Sequence, residues 1–268
     1  MKVFSFGGGV QSMAIMILSA QGRLDYTDFV FANVGDDSEN PESLVYIRDV
    51  AEPYAGAHGL RIHHVRRTKR DGLHVSILQD AMANNSNISI PVYLANGGPA
   101  SRNCTSNWKV KVIEKWMRAN GGATKTARQP LGVGISADET HRMRTDDPDR
   151  EPYVYKEYPL VDLRITRAEC QHIINAAGVA LAPKSSCFFC PYKRRSDWAK
   201  LRGDHPELFA ISVALEERLN EKRRAAGKDA VYLTASEKPL TAAIAQPTEN
   251  MFADDEDPLH CESGYCMT

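Results

Sequence analysis

The stretch SFGGGVQS, residues 5–12, joins a short apolar segment to the first helical pattern of the chain. Residues 2–6 are apolar and β-prone, which predicts a buried parallel strand. Residues 11–21 repeat apolar side chains at helical spacing. The three glycines let backbone N–H groups approach an anion, and the helix N-terminus favours negative charge. The stretch therefore predicts a strand, a phosphate-binding turn and a helix.

Strands and helices alternate along the chain after this turn. We predict strands at residues 28–32, 61–65 and 129–135, and helices at residues 41–58, 108–119, 167–177 and 206–226. This alternation indicates an α/β fold with a parallel sheet. Ligands bind such sheets at the carboxyl ends of the strands, where residues 7–12, 33–39 and 136–142 are expected.

Length and composition set further limits on the protein. The 268 residues suffice for one α/β domain with an appendage, and the formal net charge of −1 gives no argument for or against a nucleic-acid partner. We see no signal-peptide pattern and no apolar run long enough to cross a bilayer, so we expect a cytoplasmic protein without a membrane partner. The composition changes after Pro159, which predicts a nucleotide-binding domain at 1–160 and a helical, cysteine-bearing region at 161–268.

The glycine turn by itself is also compatible with a tight connection that binds no ligand. It lacks the Lys-Ser/Thr ending of a Walker A loop, and it does not match the dinucleotide pattern Gly-x-Gly-x-x-Gly. The segments that follow it favour a ligand-binding role.

Several segments, taken in order, resemble the PP-loop superfamily of ATP pyrophosphatases, in its PAPS-reductase-like branch. The signature Ser-Gly-Gly-x-Asp-Ser is similar to residues 7–12, with Gly7 at the first Ser and Gln11 at the Asp. FANVGDD, residues 31–37, looks like the end of the branch's second strand. GISADETHR, residues 134–142, is similar to its Gly-Ile-Ser-x-Asp-Glu-x-x-Arg segment. The resemblance continues through residues 158–160 and 184–192 and covers most of the chain.

The resemblance implies a five-stranded parallel sheet flanked by helices, as in the adenine nucleotide α-hydrolases. It implies that ATP or a PAPS-like adenine nucleotide is bound by the strand-end residues Ser5, Gly7, Gly8, Gly9, Val10, Gln11, Ser12, Asn33, Gly35, Asp36 and Gly134. Asp138 and Glu139 would hold Mg²⁺, and Arg142 would neutralise phosphates. The alternative for these three residues is a solvated, charged loop.

In the resembling enzymes ATP is cleaved between the α and β phosphates, which adenylates a substrate oxygen. A sulfur or nitrogen nucleophile then displaces AMP. The leading hypothesis is sulfur transfer onto a nucleic acid, either tRNA or DNA. The alternatives are reduction of an adenylyl-sulfate and a non-catalytic nucleotide-sensing or nucleic-acid-binding module, which the loss of the Asp carboxylate at Gln11 favours weakly.

The six cysteines suggest metal or redox chemistry, because cytosolic thiols remain reduced. Cys187 and Cys190 form a C-x-x-C pair, and Cys104 precedes a predicted helix. One hypothesis adds a tail cysteine, Cys261 or Cys266, to these three to hold a [4Fe–4S] cluster or zinc, and we predict Cys266 as the fourth ligand. The alternative is that the pair is simply packed, and Cys170, at a helical position, is expected in the core.

Basic clusters lie at residues 61–70 and 193–195, and residues 108–116 mix tryptophan with lysine. Such clusters bind phosphate backbones and stack bases, although ordinary solvated surface has the same composition. The sequence gives no indication of the oligomeric state.

Overall fold

A computed structural model describes residues 1–85, 88–95, 98–100 and 103–245. Within these ranges the strands are β1 (Val3–Ser5), β2 (Asp28–Asn33), β3 (Arg61–Arg66), β4 (Tyr93–Leu94), β5 (Gln129–Gly132), β6 (Val154–Glu157) and β7 (Val231–Tyr232). Five of them form a parallel sheet in the order β3-β2-β1-β5-β6, and β4 pairs with β7 antiparallel. The predicted five-stranded parallel sheet flanked by helices is therefore confirmed.

The α-helices in the described part of the chain are α1 (Val10–Ala20), α2 (Pro41–Tyr46), α3 (Glu52–Ala57), α4 (Ile77–Met82), α5 (Lys111–Asn120), α6 (Pro159–Asp162), α7 (Arg167–Ala176), α8 (Arg195–Asp204), α9 (Pro206–Ala225) and α10 (Leu240–Ala245). A π-helical segment, Ile47–Ala51, joins α2 to α3, and another, Thr105–Val110, precedes α5. A 3₁₀ segment, Ala137–Arg142, follows β5. No helix among the described residues is both long and apolar enough to cross a membrane.

The order of the strands creates a switch point between β1 and β5. The chain proceeds from β1 through β2 to β3 on one side, and then returns to place β5 and β6 on the other side. Crossovers leave β1 and β5 in opposite directions, and open α/β sheets bind ligands in a crevice at the carboxyl ends of two such strands; we call this region the crevice. The glycine loop after β1 and the segment after β5 border this crevice.

Alternating side chains on the central strands supply two apolar faces. One face packs against α1, α7 and the α2–α3 region, and includes Phe4, Phe6, Phe29 and Phe31. The opposite face packs against α5, and includes Val3, Val30, Ala32 and Leu131. Both faces are covered, which explains why every residue of β1 and β2 is buried.

A second core lies away from the sheet, among α4, α8, α9, β7 and α10. Trp198 and Leu215 are fully buried there. Glu216 of α9 accepts hydrogen bonds from the backbone N–H groups of Leu233 and Leu240, which ties the last described segments to the long helix. Ile174 of α7 belongs to the sheet core instead. The domain boundary at residue 160 stays a prediction.

The elements differ from the sequence prediction in several places. The predicted strand 129–135 ends at Gly132. The predicted helix 41–58 is interrupted by a π segment, and the predicted helix 108–119 begins within another. Strand β6 was not predicted, because VYKE carries two charged residues in four. It is an edge strand with one covered face, so it does not need a continuous apolar run.

A buried carboxylate begins β2. Asp28 is 2% exposed and accepts hydrogen bonds from Arg61 and from Nε2 of His63, at 3.0 and 2.8 Å respectively. Burial raises the pKa of Asp28, but the hydrogen bonds from His63, Arg61 and Thr27 more than offset it, so the pKa lies below its ordinary value. Asp28 therefore stabilises the fold while it is ionised.

We expect Asp28→Asn to lower the free energy of unfolding by about 1–3 kcal/mol at pH 7, because the charge-assisted hydrogen bonds are lost. A depressed native pKa gives stability that is complete above the unfolded-state pKa of about 3.9 and is lost as pH falls through the native pKa. The difference between the two proteins should thus shrink below about pH 4. Urea unfolding at pH 7 and pH 3 measures this, and a difference independent of pH would contradict it.

Candidate functional site

The glycine loop between β1 and α1 has little room for any other residue. Gly8 has φ of 70°, and a Cβ there would lie 2.8 Å from Cδ1 of Ile47. Gly9 is the N-cap of α1, and a Cβ there would lie 2.7 Å from Oγ of Ser185. Two other segments therefore pack directly against the loop, and the positive φ of Gly8 in addition favours glycine there.

Ser12 closes the first turn of α1 onto this loop. The N–H of Gly9 donates to Oγ of Ser12 at 3.0 Å, and that hydroxyl donates to the carbonyl oxygen of Gly9 at 2.9 Å. N–H groups in the first turn of a helix have no intrahelical acceptor and favour an anion. The two hydrogen bonds between Gly9 and Ser12 fix the backbone of the loop at the N-terminus of α1.

The end of β5 forms the other wall of the crevice. A Cβ at Gly134 would lie 3.4 Å from both Cβ of Gln11 and Cζ of Phe4. The two strand ends are thus in contact through the side chain of Gln11. The structure places the predicted residues Gly7–Ser12 and Gly134 in one crevice, at the switch point of the sheet.

Glu139 is the centre of the polar contacts in this crevice. Its Oε2 accepts hydrogen bonds from Nη1 of Arg142 at 2.7 Å, from Nε2 of Gln11 at 2.9 Å and from Oγ of Ser136 at 3.2 Å. Glu139 and Arg142 are 5% and 4% exposed. They form a buried ion pair that holds the side chain of Gln11.

This geometry bears on the predicted roles of Asp138, Glu139 and Arg142. Arg142 is directed at Glu139, and the exposed Asp138 accepts a hydrogen bond from the backbone N–H of Arg167 at 3.1 Å. Oε1 of Glu139 is buried and has no hydrogen-bond partner among the described residues. A buried carboxylate oxygen without a donor suits a hard cation such as Mg²⁺. Metal binding at Asp138 and Glu139, and phosphate contact at Arg142, stay predictions.

Arg167 also contacts this candidate site, although the sequence did not predict it. Its Nη1 donates to Oε1 of Gln11 at 2.9 Å. The available signal was the capping box of α7, in which Thr166 and Glu169 cap each other's backbone and place Arg167 in the first turn. Nothing in the sequence indicated that this turn lies beside the glycine loop.

The end of β2 forms a polar turn beside a separate cleft. Asn33 accepts from the N–H of Gly35 at 2.7 Å and donates to Asp36 at 2.8 Å, and Arg66 forms an ion pair with Asp36 at 2.6 Å. The hydrogen bond from Asn33, followed by that from Arg66, lowers the pKa of Asp36. These residues line an open cleft of about 260 Å³ together with His74, Ser76 and Gln79. Nucleotide binding by Asn33, Gly35 and Asp36 stays a prediction.

Cys104, Cys187 and Cys190 line one pocket, whose walls are mostly apolar. The N–H of Cys190 donates to the carbonyl of Cys187 at 3.1 Å, which closes the C-x-x-C turn. The buried Oγ of Ser186 also borders this pocket and has no hydrogen-bond partner among the described residues.

The described residues contain no group of three or more Cys, His, Asp or Glu close enough to hold a metal ion. The three thiols thus share a pocket without forming a complete cage. Cys266 and Cys261 lie outside the described residues. Cys170 is fully buried beneath α1, and burial raises the pKa of its thiol to about 12, as expected for a packed core thiol.

The segment before the C-x-x-C turn connects the cysteine pocket to the glycine loop. Ser185 packs on Gly9, whereas the next residue, Ser186, borders the pocket. The carbonyl of Ser186 accepts from the N–H of Asn40, and the N–H of Phe188 donates to the carbonyl of Ser38. The two candidate sites are therefore neighbours on the same edge of the sheet.

The basic cluster at residues 61–70 is partly neutralised. Arg61 is paired with Asp28, and Arg66 with Asp36. The guanidinium of Arg67 lies 4.5 Å from the ring centroid of Trp108, which is buried. These contacts favour a structural role for much of the cluster, and nucleic-acid binding stays a prediction.

No protein-family model, curated protein or solved structure matches the chain. The interpretation of the site therefore depends on its own geometry.

We expect Gly8→Val to abolish nucleotide binding. The sequence alone predicts little loss of stability, but the positive φ and the contact with Ile47 add a cost of about 1–3 kcal/mol in the free energy of unfolding. Gly22→Val is the matched control, because Gly22 has φ of 71°, lies beyond the other end of α1 and has open space around it. Calorimetric titration with ATP and urea unfolding of both variants measure the two effects. Equal ATP affinity in the two variants would exclude the glycine loop as the binding site.

Proposed function

We propose that this protein is a PP-loop enzyme that binds ATP at the glycine loop and cleaves it between the α and β phosphates. The observation that carries the proposal is the position of the loop. A glycine turn and a helix N-terminus lie at the switch point of a parallel sheet, with the cysteine pocket adjacent. Switch points are where open α/β sheets bind their ligands.

In the proposed reaction an oxygen of the acceptor attacks the α-phosphorus of ATP. A new oxygen–phosphorus bond forms, the bond from the α-phosphorus to the bridging oxygen breaks, and pyrophosphate leaves. Backbone N–H groups of the glycine loop and the first turn of α1, other than that of Gly9, which donates to Ser12, would stabilise the charge that develops on the pyrophosphate. A sulfur nucleophile then displaces AMP from the adenylated acceptor.

Mg²⁺ would be held by the unpartnered Oε1 of Glu139, with Asp138 as a second carboxylate from the same 3₁₀ segment. Bound there, it would neutralise phosphate charge. Glu139 also fixes Gln11 through Oε2, so one carboxylate would serve the loop and the cation.

Cys104, Cys187 and Cys190 line one pocket and would supply three thiolate donors if their side chains moved together, with a tail cysteine such as Cys266 as the fourth. Four thiolates suit a [4Fe–4S] cluster or structural zinc. A cluster held there would supply sulfur or electron chemistry, and we propose sulfur transfer to tRNA or DNA as the specific activity.

Incubation with Mg²⁺ and ATP, with and without tRNA or duplex DNA, tests this function. AMP and pyrophosphate in equal amounts would support it, and Gly8→Val should produce neither. Sulfite released from an adenylyl-sulfate would instead support reduction. Tight ATP binding without turnover under every condition would support a nucleotide-sensing module and contradict the enzymatic proposal.

A further inference from the structure

Arg167 belongs to α7, but its side chain ends at the glycine loop. Its Nη1 donates to Oε1 of Gln11 at 2.9 Å, and Arg167 is partly buried. Gln11 is the second residue of α1, within the turn whose N–H groups favour an anion. The guanidinium of Arg167 is thus held near the N-terminus of α1 by its hydrogen bond to the side chain of Gln11.

The charges around Gln11 leave Arg167 available for an anion. Glu139 and Arg142 neutralise each other in their buried ion pair. The exposed Asp138 bonds to the backbone of Arg167, where water screens its charge. No ion pair of Arg167 is found among the described residues.

A second feature indicates that the crevice is built for a ligand. Glu139 is 5% exposed, and its Oε1 lacks a hydrogen-bond partner among the described residues. A buried acceptor of this kind is costly unless a cation or water satisfies it. A metal-bound polyphosphate would present a cation to Glu139 and negative oxygens to Arg167.

The contacts also give a physical reason for glutamine at position 11. Nε2 of Gln11 lies 2.9 Å from the carboxylate of Glu139. An aspartate there would place a second negative charge in the same partly buried crevice, which is unfavourable. An amide instead donates to Glu139 and accepts from Arg167, and so holds the cation in place.

We propose that Arg167 is a polyphosphate-binding residue that Gln11 positions, so that α7 supplies positive charge to the nucleotide site. This inference rests on the proposed function. It extends the site beyond residues 1–160 and makes the affinity for the polyphosphate moiety depend on a residue outside the glycine loop.

Arg167→Met tests the proposal, because methionine keeps an unbranched apolar stem and removes the charge. Arg23→Met is the matched control, since Arg23 is exposed beyond the opposite end of α1. Calorimetric titrations would use inorganic pyrophosphate with Mg²⁺, Mg-ATP and adenosine. We expect Arg167→Met to weaken pyrophosphate and ATP binding by about 10- to 100-fold, the range for loss of a charge-assisted hydrogen bond. Adenosine affinity should not change, and Arg167→Lys should recover part of the loss.

The outcomes separate this inference from the proposed function. If the wild-type protein binds ATP and pyrophosphate, and Arg167→Met binds both as tightly as Arg23→Met does, Arg167 has no role in the site while the function stands. An equal loss of adenosine and pyrophosphate affinity would assign Arg167 a purely structural role and also overturn the inference. If the wild-type protein binds neither ATP nor pyrophosphate, the proposed function fails, and the role of Arg167 fails with it.

Discussion

Replacement of Arg142 by alanine should lower the free energy of unfolding by about 3–5 kcal/mol, the range for removing one partner of a buried ion pair. The loss is large because Glu139 would keep a buried negative charge, with Gln11 and Ser136 as its remaining donors among the described residues. Urea unfolding at pH 7 measures it. The sequence alone predicts that alanine at positions 138, 139 and 142 lowers turnover more than stability. Because Glu139 and Arg142 are buried, we now expect this only for the exposed Asp138.

Two further variants make this prediction specific to the ion pair. Asp138→Ala should change the free energy of unfolding by less than about 1 kcal/mol, because its side chain is exposed. The double variant Glu139→Leu/Arg142→Met should recover part of the stability that Arg142→Ala loses, since no unpaired charge remains. A double variant less stable than Arg142→Ala would contradict this prediction, because an unpaired buried charge would then not be the main reason for the loss in Arg142→Ala.

Loss of a pocket cysteine should have the largest effect on any bound metal. Serine at Cys104, Cys187 or Cys190 should reduce iron or zinc content from about one site per chain to near zero, because a hydroxyl is a poor ligand for these metals. Metal analysis and the visible absorption spectrum of anaerobically purified protein measure this. Metal binding of this kind is coupled to folding, so the variants should also unfold more easily.

Cys170→Ser is the matched control for the cysteine variants. Cys170 is fully buried in the sheet core, away from the pocket, so its variant should lose stability but keep the metal. Wild-type protein made with iron and zinc present that contains neither metal would exclude the metal hypothesis. The three thiols would then be packed or redox-active groups in an apolar pocket.

The sheet could be predicted because its central strands are short apolar runs bounded by glycine and polar residues. Strand β6 could not be, because its burial depends on a neighbouring strand rather than on its own composition. The convergence of residues 7–12 and Gly134 follows from the parallel topology alone.

The partners of the site residues could not be predicted from the sequence. The sequence is equally compatible with an exposed catalytic pair and with a buried ion pair at Glu139 and Arg142, because a three-residue spacing in a loop does not determine burial. Arg167 and Ser185 contact the glycine loop from more than 150 residues away in sequence, and only the tertiary packing of α7 and of the cysteine segment brings them there.

Each of the two π-helical segments carries residues that contact one of the candidate sites, so the number of residues in the segment affects the position of those contacts. Ile47, which packs on Gly8, begins one segment, and Thr105 and Lys109 of the other line the cysteine pocket. A π turn accommodates one residue more than a regular helix and occurs frequently at functional sites. Deleting one residue from either segment would restore regular hydrogen bonding and would remove the wide turn that carries Ile47 in one segment, and Thr105 and Lys109 in the other. We therefore expect a one-residue deletion in either segment to make the helix regular and to disturb the candidate site beside it.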